Sequence, residues 1–434
     1  HLSGRGYSYG GARAVSEKFA AALVKSGFKP GDVLTIVLPN MPEYPLIVLG
    51  ALEAGLIVST ANPLYTERKS TPLSRNNTDI YTKSGTSKLR FRAGLRDLGL
   101  PGHDLRNVDT SLIPREARKS EDVALLLYSS GTTGLSKGVA LTHKTSYPTS
   151  RCVACLVFLD SVRPPVSTYQ GTQPSSVTCV CAPPLTLFLG AHPAVTPEHL
   201  ESVRYIFNGA GPVGQSDIEK LIAKRPNKDA YGLTETSPVV FLPKETTTSL
   251  VTVGSPVSGS QVRVVDETGK NLGPNEKGEL YVKGPHQVMK GYHKNEAATK
   301  EAFAEDGWFR TGDMVYYDEN CEFFIVERLK ELIKVKGFQV PPAELESLLR
   351  SHPDVSEAAV VGAPDERAGE RPVAFIVPKP GCKPDHEEVK EYVSKHVAEY
   401  KWIKEIKQVE AIPKNLSGKI LRRQLKEEYL GKSS

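Results

Sequence analysis

Cysteine is scarce: six residues in a chain of 434 cannot staple a disulfide scaffold. Cys152-x-x-Cys155 and Cys179-x-Cys181 are the close pairs. Both sit in apolar surroundings, and the second spacing is too tight for an ordinary zinc knuckle, so buried or incidental thiols fit them better. Long apolar runs are also missing. None approaches the ~18 residues of a membrane span, and the longest candidate, Leu46 to Val58, is broken by Glu53. Nor does one sign of charge dominate: 55 basic against 50 acidic side chains leave +5. That balance leans mildly toward anionic small molecules and lacks the basic, aromatic-interleaved face that nucleic acid needs. The chain opens at His1 rather than methionine and shows no recognisable signal peptide. It ends Gly431-Lys432-Ser433-Ser434, not in a Ser-Lys-Leu peroxisomal address. A cytoplasmic globular protein is the expectation, long enough for two or more domains.

What is present centres on Tyr128-Ser129-Ser130-Gly131-Thr132-Thr133-Gly134-Leu135-Ser136-Lys137-Gly138. The apolar run Val123 to Tyr128 reads as a short buried strand leading into it. Three glycines let backbone N–H groups approach an anion, the hydroxyls add donors, and Lys137 adds a point charge. The set suits a polyphosphate. It is not a Walker A loop, whose first glycine stands five residues before a Gly-Lys-Ser/Thr end. Taken alone, a flexible Gly/Ser/Thr turn explains it equally well.

Helical and strand patterns alternate on either side. Residues 11–26 and 42–55 read as helices, and 33–38 and 56–60 as strands, which predicts a parallel sheet with helices on both faces. Residues 67–120 and 145–176 carry little periodicity and read as poorly ordered or as damaged coding sequence. Order returns with a strand over 177–182 and another ending near Phe207. The latter runs into Asn208-Gly209-Ala210-Gly211-Pro212, where a tight Gly/Ala turn could lie flat against a purine or simply join strand to helix. Tyr231-Gly232-Leu233-Thr234-Glu235-Thr236 pairs a hydroxyl with a carboxylate, a set suited to Mg²⁺ on phosphates.

From 254 to 326 short strands alternate with Gly, Pro and Asn turns, including 261–265, 278–282 and 323–326. Asp313, in Trp308-Phe309-Arg310-Thr311-Gly312-Asp313, could accept both hydroxyls of a ribose or be an ordinary solvated turn residue. Glu327 to Gln339 alternates basic and apolar side chains and, without context, reads as a two-faced strand with a solvated basic side. A helix follows with proline in its first turn at Pro341-Pro342. Then come strands over 358–361 and 373–377 and a helix over 387–400. Lys419, in Ile412-Pro413-Lys414-Asn415-Leu416-Ser417-Gly418-Lys419-Ile420, taken alone is a surface lysine.

In this order the motifs resemble those of the adenylate-forming superfamily, which includes acyl-CoA synthetases, beetle luciferases and peptide-synthetase adenylation domains. The local likeness runs nearest to 4-coumarate–CoA ligase-like acyl-CoA synthetases. The resemblance implies an α/β fold. A large N-terminal domain of doubly wound sheets (1–329) would carry a β-barrel-like part at about 251–326, and a small α+β lid would follow (330–434). It implies that Ser129, Ser130, Gly131, Thr132, Thr133, Gly134 and Lys137 bind phosphates. Gly209, Ala210, Gly211, Tyr231 and Gly232 would hold the adenine end, Thr234 the α-phosphate, Glu235 the Mg²⁺, and Asp313 and Arg328 the ribose. Lys330 becomes a hinge, and Lys336 and Gly337 line a tunnel for coenzyme A. Lys334 and Gln339 serve ligation, and Lys419 is the adenylating lysine. ATP, Mg²⁺, coenzyme A and a carboxylic acid, aromatic or fatty, are the implied ligands.

The chain departs from the family between His143 and His192. It has no histidine there, and the interval that usually carries a Phe-His-x-Tyr stretch of the acyl pocket is short. Ser136 also stands where proline is usual, and Asn227-Lys228-Asp229-Ala230 where Gln-Gly is. A luciferase-like or carrier-protein adenylation enzyme and a noncatalytic nucleotide-binding paralogue remain open, with a Walker-type ATPase the weakest reading. The acid itself is not legible.

Overall fold

The computed structural model describes the chain except residues 1–6, 37, 39–42, 61–107, 115–118, 130–136, 146–176, 182, 210–214, 245, 246, 248, 250, 285, 416, 417 and 432–434. The two segments that read poorly in sequence, and most of the phosphate-loop glycines, fall largely outside the described residues.

Helix α1 (Tyr9–Lys25) starts where the Ser8 hydroxyl accepts from the Gly11 N–H at 3.1 Å, and it buries Phe19 to Leu23. It crosses α2 (Tyr44–Glu53) closely. A Cβ on Gly50 would lie 2.6 Å from the Ser16 carbonyl oxygen, so glycine is what lets the helices touch. Both cover a sheet of β1 (Val33–Ile36), β2 (Ile57–Thr60), β3 (Val123–Ser129) and β4 (Lys137–Thr142). β1, β2 and β3 are parallel, as alternating helix and strand predict. β4 runs antiparallel to β3 because only residues 130–136 separate the two strands, too few for the crossover a parallel pair needs.

A second sheet holds β5 (Val177–Cys181), β6 (Val203–Asn208) and β7 (Asn227–Asp229), all parallel. Helices α3 (Pro183–Ala191) and α4 (Gln215–Ile222) accompany it over Leu189, Leu200, Ile206 and Leu221. Next come β8 (Tyr231–Gly232), β9 (Val239–Leu242) and β10 (Ser255–Pro256). An antiparallel sheet follows, made by β11 (Gln261–Val265), β12 (Gly278–Lys283), β14 (Phe309–Tyr317) and β15 (Phe323–Arg328). Val240, Phe241, Leu280, Val282, Val315 and Phe323 are buried together where these last two sheets meet. Between β12 and β14 the chain leaves to place β13 (Gly291–Tyr292) on the far edge of β4, and helix α5 (Glu296–Ala302) returns it.

The remaining residues build a sheet of their own. It contains β16 (Ile333–Val335), β17 (Phe338–Val340), β18 (Val355–Asp365), β19 (Gly369–Pro378) and β20 (Glu405–Gln408). Helices α6 (Pro342–Ser351), α7 (His386–Ser394) and α8 (Arg422–Gly431) pack on it. Pro342 opens α6, and the Asp385 carboxylate caps α7 by accepting from the Glu387 and Glu388 N–H groups. The segment from Glu327 to Gln339, which read as one strand, is broken twice. β15 ends at Arg328, and Lys336 and Gly337 form the turn between β16 and β17 with φ of 50° and 84°. Alternating charge and apolarity does not distinguish a straight strand from a hairpin whose turn keeps the alternation. Among the described residues no helix is long and apolar enough to cross a membrane.

Candidate active site

The cross-strand register places Ser129 opposite Lys137 at the open end of the β3–β4 pair. Ser130, Gly131, Thr132, Thr133 and Gly134 lie between them, outside the described residues, as do Ala210 and Gly211. The Lys137 ammonium stands 4.7 Å from the centroid of the Tyr292 ring. Gly209 directly follows β6, whose last residue, Asn208, accepts from the Ala230 N–H just past β7 at 2.8 Å. The ends of the parallel strands and the start of β8 therefore share one edge, the usual place for a ligand in an open α/β sheet.

Tyr231 and Gly232 form β8. A Cβ on Gly232 would fall 1.6 Å from the Pro238 carbonyl oxygen, so the returning chain fits only against glycine. Thr234 and Glu235 follow in a single 3-10 turn, closed by Ser237 at φ 54°. Glu235 is buried, and the Tyr292 hydroxyl donates to its Oε1 at 3.0 Å. One buried carboxylate with a neighbouring hydroxyl is a donor set that fits Mg²⁺ shared with phosphate oxygens, since that ion takes few protein carboxylates. Among the described residues no cluster of three or more His, Cys, Asp or Glu makes an all-protein metal cage.

Asp313 is buried on β14. The Tyr231 hydroxyl donates to its Oδ2 at 2.5 Å, and Arg328 Nε lies 3.1 Å from Oδ1. Burial pushes the Asp313 carboxyl up, while Arg328, the Tyr231 hydrogen bond and the charge of Lys419 pull it back. Burial, then the Asp313 charge, raises the Tyr231 phenol well above its ordinary value, so it stays a donor. Lys419 arrives from the C-terminal sheet on a tight turn. Its N–H donates to Asn415 Oδ1 at 2.9 Å, and the Asn415 N–H donates back to the Lys419 carbonyl at 2.9 Å. The turn presses on α3: a Cβ on Gly418 would meet Pro184 at 2.5 Å. Burial and Arg328 lower the Lys419 ammonium below its ordinary value, with Glu331 and Asp313 opposing.

Of the residues singled out from sequence, Tyr231, Asp313, Arg328 and Lys419 thus form one electrostatic cluster. Glu235 and Lys137 meet nearby through Tyr292. Lys330 is exposed in the turn just after β15. Lys334, Lys336, Gly337 and Gln339 lie on the β16–β17 hairpin, where Lys334 and Gln339 are cross-strand partners. That hairpin is tied to its own sheet, through the Lys334 N–H to Glu370 at 3.0 Å and the Lys336 N–H to the Ala368 carbonyl at 2.7 Å.

Sequence reasoning missed Arg422. Its guanidinium forks onto Glu346 at 3.1 and 2.8 Å, pairs with Glu331, and lies 3.9 Å from Glu327. The carboxylates come from three separate elements, so no periodicity announces them. The Tyr292 hydroxyl was missed too.

The model of the AMP-binding enzyme family matches residues 2–76, 81–184 and 146–293, and that of the AMP-binding enzyme C-terminal domain matches 344–419. The chain belongs to the AMP-binding enzyme family, within the adenylate-forming superfamily. Among its relatives it is 34% identical to 4-coumarate–CoA ligase 3 of Oryza sativa subsp. japonica, over 98% of this chain and 87% of that protein. To 4-coumarate–CoA ligase 2 of Nicotiana tabacum it is 36% identical, over 97% and 89%. Its fold is similar to that of ATP-bound MatB from Rhodopseudomonas palustris, with a TM-score of 0.82 at 26% identity, covering 98% of this chain and 94% of that one.

Proposed function

We propose that the protein is an AMP-forming acid–CoA ligase working through an acyl-adenylate. The observation that carries this is that the charge of Lys419 acts on the Asp313–Arg328 pair, to which Tyr231 donates. A positive charge from the C-terminal residues thus reaches a buried carboxylate held by Arg328 and Tyr231. A free carboxylate is a poor electrophile and must first be activated. One of its oxygens attacks the α-phosphorus of ATP, the bond to the β-phosphate breaks, and pyrophosphate leaves with the electron pair. Such a step is accelerated by positioning and charge neutralisation. Tyr231 stacks on adenine beside Gly209, Ala210, Gly211 and Gly232, and Asp313 accepts from the ribose with Arg328 holding it in place. Lys137 and the backbone of Ser129, Ser130, Gly131, Thr132, Thr133 and Gly134 hold the departing phosphates, and Thr234 the α-phosphate. Glu235 is the residue to hold Mg²⁺, which when bound offsets phosphate charge. Lys419 neutralises charge on the transferring phosphoryl group.

In the second half-reaction the sulfur of coenzyme A attacks the acyl carbon and AMP leaves. We assign the boundary between the two working bodies to Lys330. Turning of residues 330–434 about it withdraws Lys419 and brings Lys336 and Gly337 to the pantetheine arm, with Lys334 and Gln339 serving ligation. The relatives' names make 4-coumarate the first acid to test. The decisive experiment is Lys419→Ala. It abolishes acid-dependent ATP–pyrophosphate exchange while thioester formation from preformed acyl-AMP persists. Equal loss of both half-reactions overturns the division of labour, and a wild-type chain that never yields AMP overturns the function.

A further inference from the structure

We propose that Tyr292 is a positioning residue that sets two parts of the nucleotide site at once: its hydroxyl aims Glu235, and its ring seats Lys137. The inference rests on the adenylation reading above and adds a residue to it.

The backbone of Tyr292 is fixed to the strand that begins with Lys137. Gly291 pairs with Ala140 and Tyr292 with Val139, and the His293 N–H donates to the Gly138 carbonyl at 2.7 Å. Behind it the Tyr292 N–H donates to Thr299 Oγ1 at 2.9 Å. Gly291, at φ 152°, leaves no room for a Cβ, which would sit 2.8 Å from the Thr299 methyl. The ring therefore projects from a two-residue strand whose place is set on both sides.

The same segment grips the loop that carries Glu235. The Met289 N–H donates to the Glu235 carbonyl at 2.8 Å, and the Gln287 side-chain amide donates to the Thr236 and Val239 carbonyls. Ser260 in turn donates to Gln287 Oε1 at 3.1 Å. Against this fixed backbone, one contact touches the carboxylate itself, the Tyr292 hydroxyl on Oε1. Oε2 takes no hydrogen bond from a described residue, so the tyrosine occupies one oxygen and leaves the acceptor capacity of the other open. Partners of this kind orient a metal-binding carboxylate without touching the ion. On the other face the Lys137 ammonium lies over the ring, where the π-cloud favours its charge and limits its swing. A tyrosine that merely filled space would need neither contact.

Two variants of the full-length chain separate the roles. Tyr292→Phe keeps the ring and removes the hydroxyl; Tyr292→Leu removes both. ATP affinity is measured by calorimetry in EDTA and again in Mg²⁺, alongside the Mg²⁺ dependence of acid-dependent ATP–pyrophosphate exchange. In Tyr292→Phe the Mg²⁺ concentration for half-maximal exchange rises about tenfold, while ATP affinity in EDTA stays within about twofold of wild type. Tyr292→Leu shows the same Mg²⁺ defect and in addition loses about two- to fivefold of its ATP affinity in EDTA. The proposal is overturned if Tyr292→Phe responds to Mg²⁺ as wild type does, or if the two variants bind metal-free ATP alike. Should Tyr292→Leu not fold, the Mg²⁺ response of Tyr292→Phe still decides. A wild-type chain that neither binds ATP nor responds to Mg²⁺ overturns the adenylation reading instead, which keeps the two failures apart.

Discussion

Arg328 and Asp313 are direct cross-strand partners on β15 and β14, and their side chains close the same pair with Nε 3.1 Å from Oδ1. The ion pair is thus built into sheet register rather than into a mobile loop. Asp313 is held upward by burial, so it takes up a proton at a higher pH than an exposed aspartate would. The proposed role, accepting from ribose hydroxyls, requires the charged form, which is present above that raised value and lost as pH falls through it. Asp313→Asn keeps the shape and removes the charge. We expect ATP to bind about tenfold more weakly, the loss typical of a charged hydrogen bond, and the acid-side fall in affinity to vanish. Calorimetry across pH checks both.

Lys419 carries the opposite consequence. Its ammonium sits below the ordinary lysine value because of burial and Arg328, so it loses its proton earlier on the alkaline side. Adenylation that depends on this charge falls at a lower pH than a free lysine would set. Arg at this position stays charged throughout. The expected outcome for Lys419→Arg is a lower rate at neutral pH with its alkaline limb moved upward. A pH profile of pyrophosphate exchange reads this, and an unmoved limb would assign the titration to another group.

Arg422 concerns stability. It is buried against Glu346, Glu331 and Glu327, and burial pushes the Glu327 carboxyl up even with this partner present. Glu327 also accepts the Ala343 N–H at the start of α6 at 3.1 Å. The cluster therefore joins the end of β15, the turn after it and two helices of the C-terminal sheet. Arg422→Met leaves several buried carboxylates without their cation, and breaking such a pair costs about 3–5 kcal/mol. Lysine does not restore it, because a point charge cannot fork onto both oxygens of Glu346. Urea unfolding of the two variants against wild type measures the loss.

Local chemistry made much of this legible in the sequence. Gln261–Val265 was read with its observed bounds and Pro342 opens α6, whereas Arg328 and Lys419 stood out only through the resemblance to adenylate-forming enzymes, and Asp313 taken alone could as well have been an ordinary turn residue. What sequence withheld was pairing. The β3–β4 strands turn back on themselves, and the Glu327–Gln339 run folds into a strand end and a hairpin. Side-chain period is the same whether a strand continues or reverses. Arg422 and its three glutamates, and the link from Tyr292 to Glu235, join residues far apart in the chain. Such contacts leave no spacing to read.

Asp229 supplies a final pH prediction. It ends β7, just before Tyr231, and its carboxyl is pushed up to about 6 by burial, against hydrogen bonds from Asn208 and Asn227. The Asn227 amide lies 3.4 Å from its Oδ1. In the unfolded chain an aspartate releases its proton near pH 4. Between that value and about 6 the folded state holds the extra proton, so folding grows less favourable as pH rises, and the full penalty applies above about 6. Asp229 is only partly buried by surface exposure, so the penalty is smaller than the shift alone implies. Asp229→Asn keeps an oxygen for Asn227 and removes the charge. Wild type should lose about 1 kcal/mol relative to this variant between about pH 5 and about pH 7.5. Unfolding midpoints of both proteins at the two pH values measure it. A difference that does not change with pH would mean that the carboxyl is already ionised throughout, with its asparagine neighbours outweighing burial.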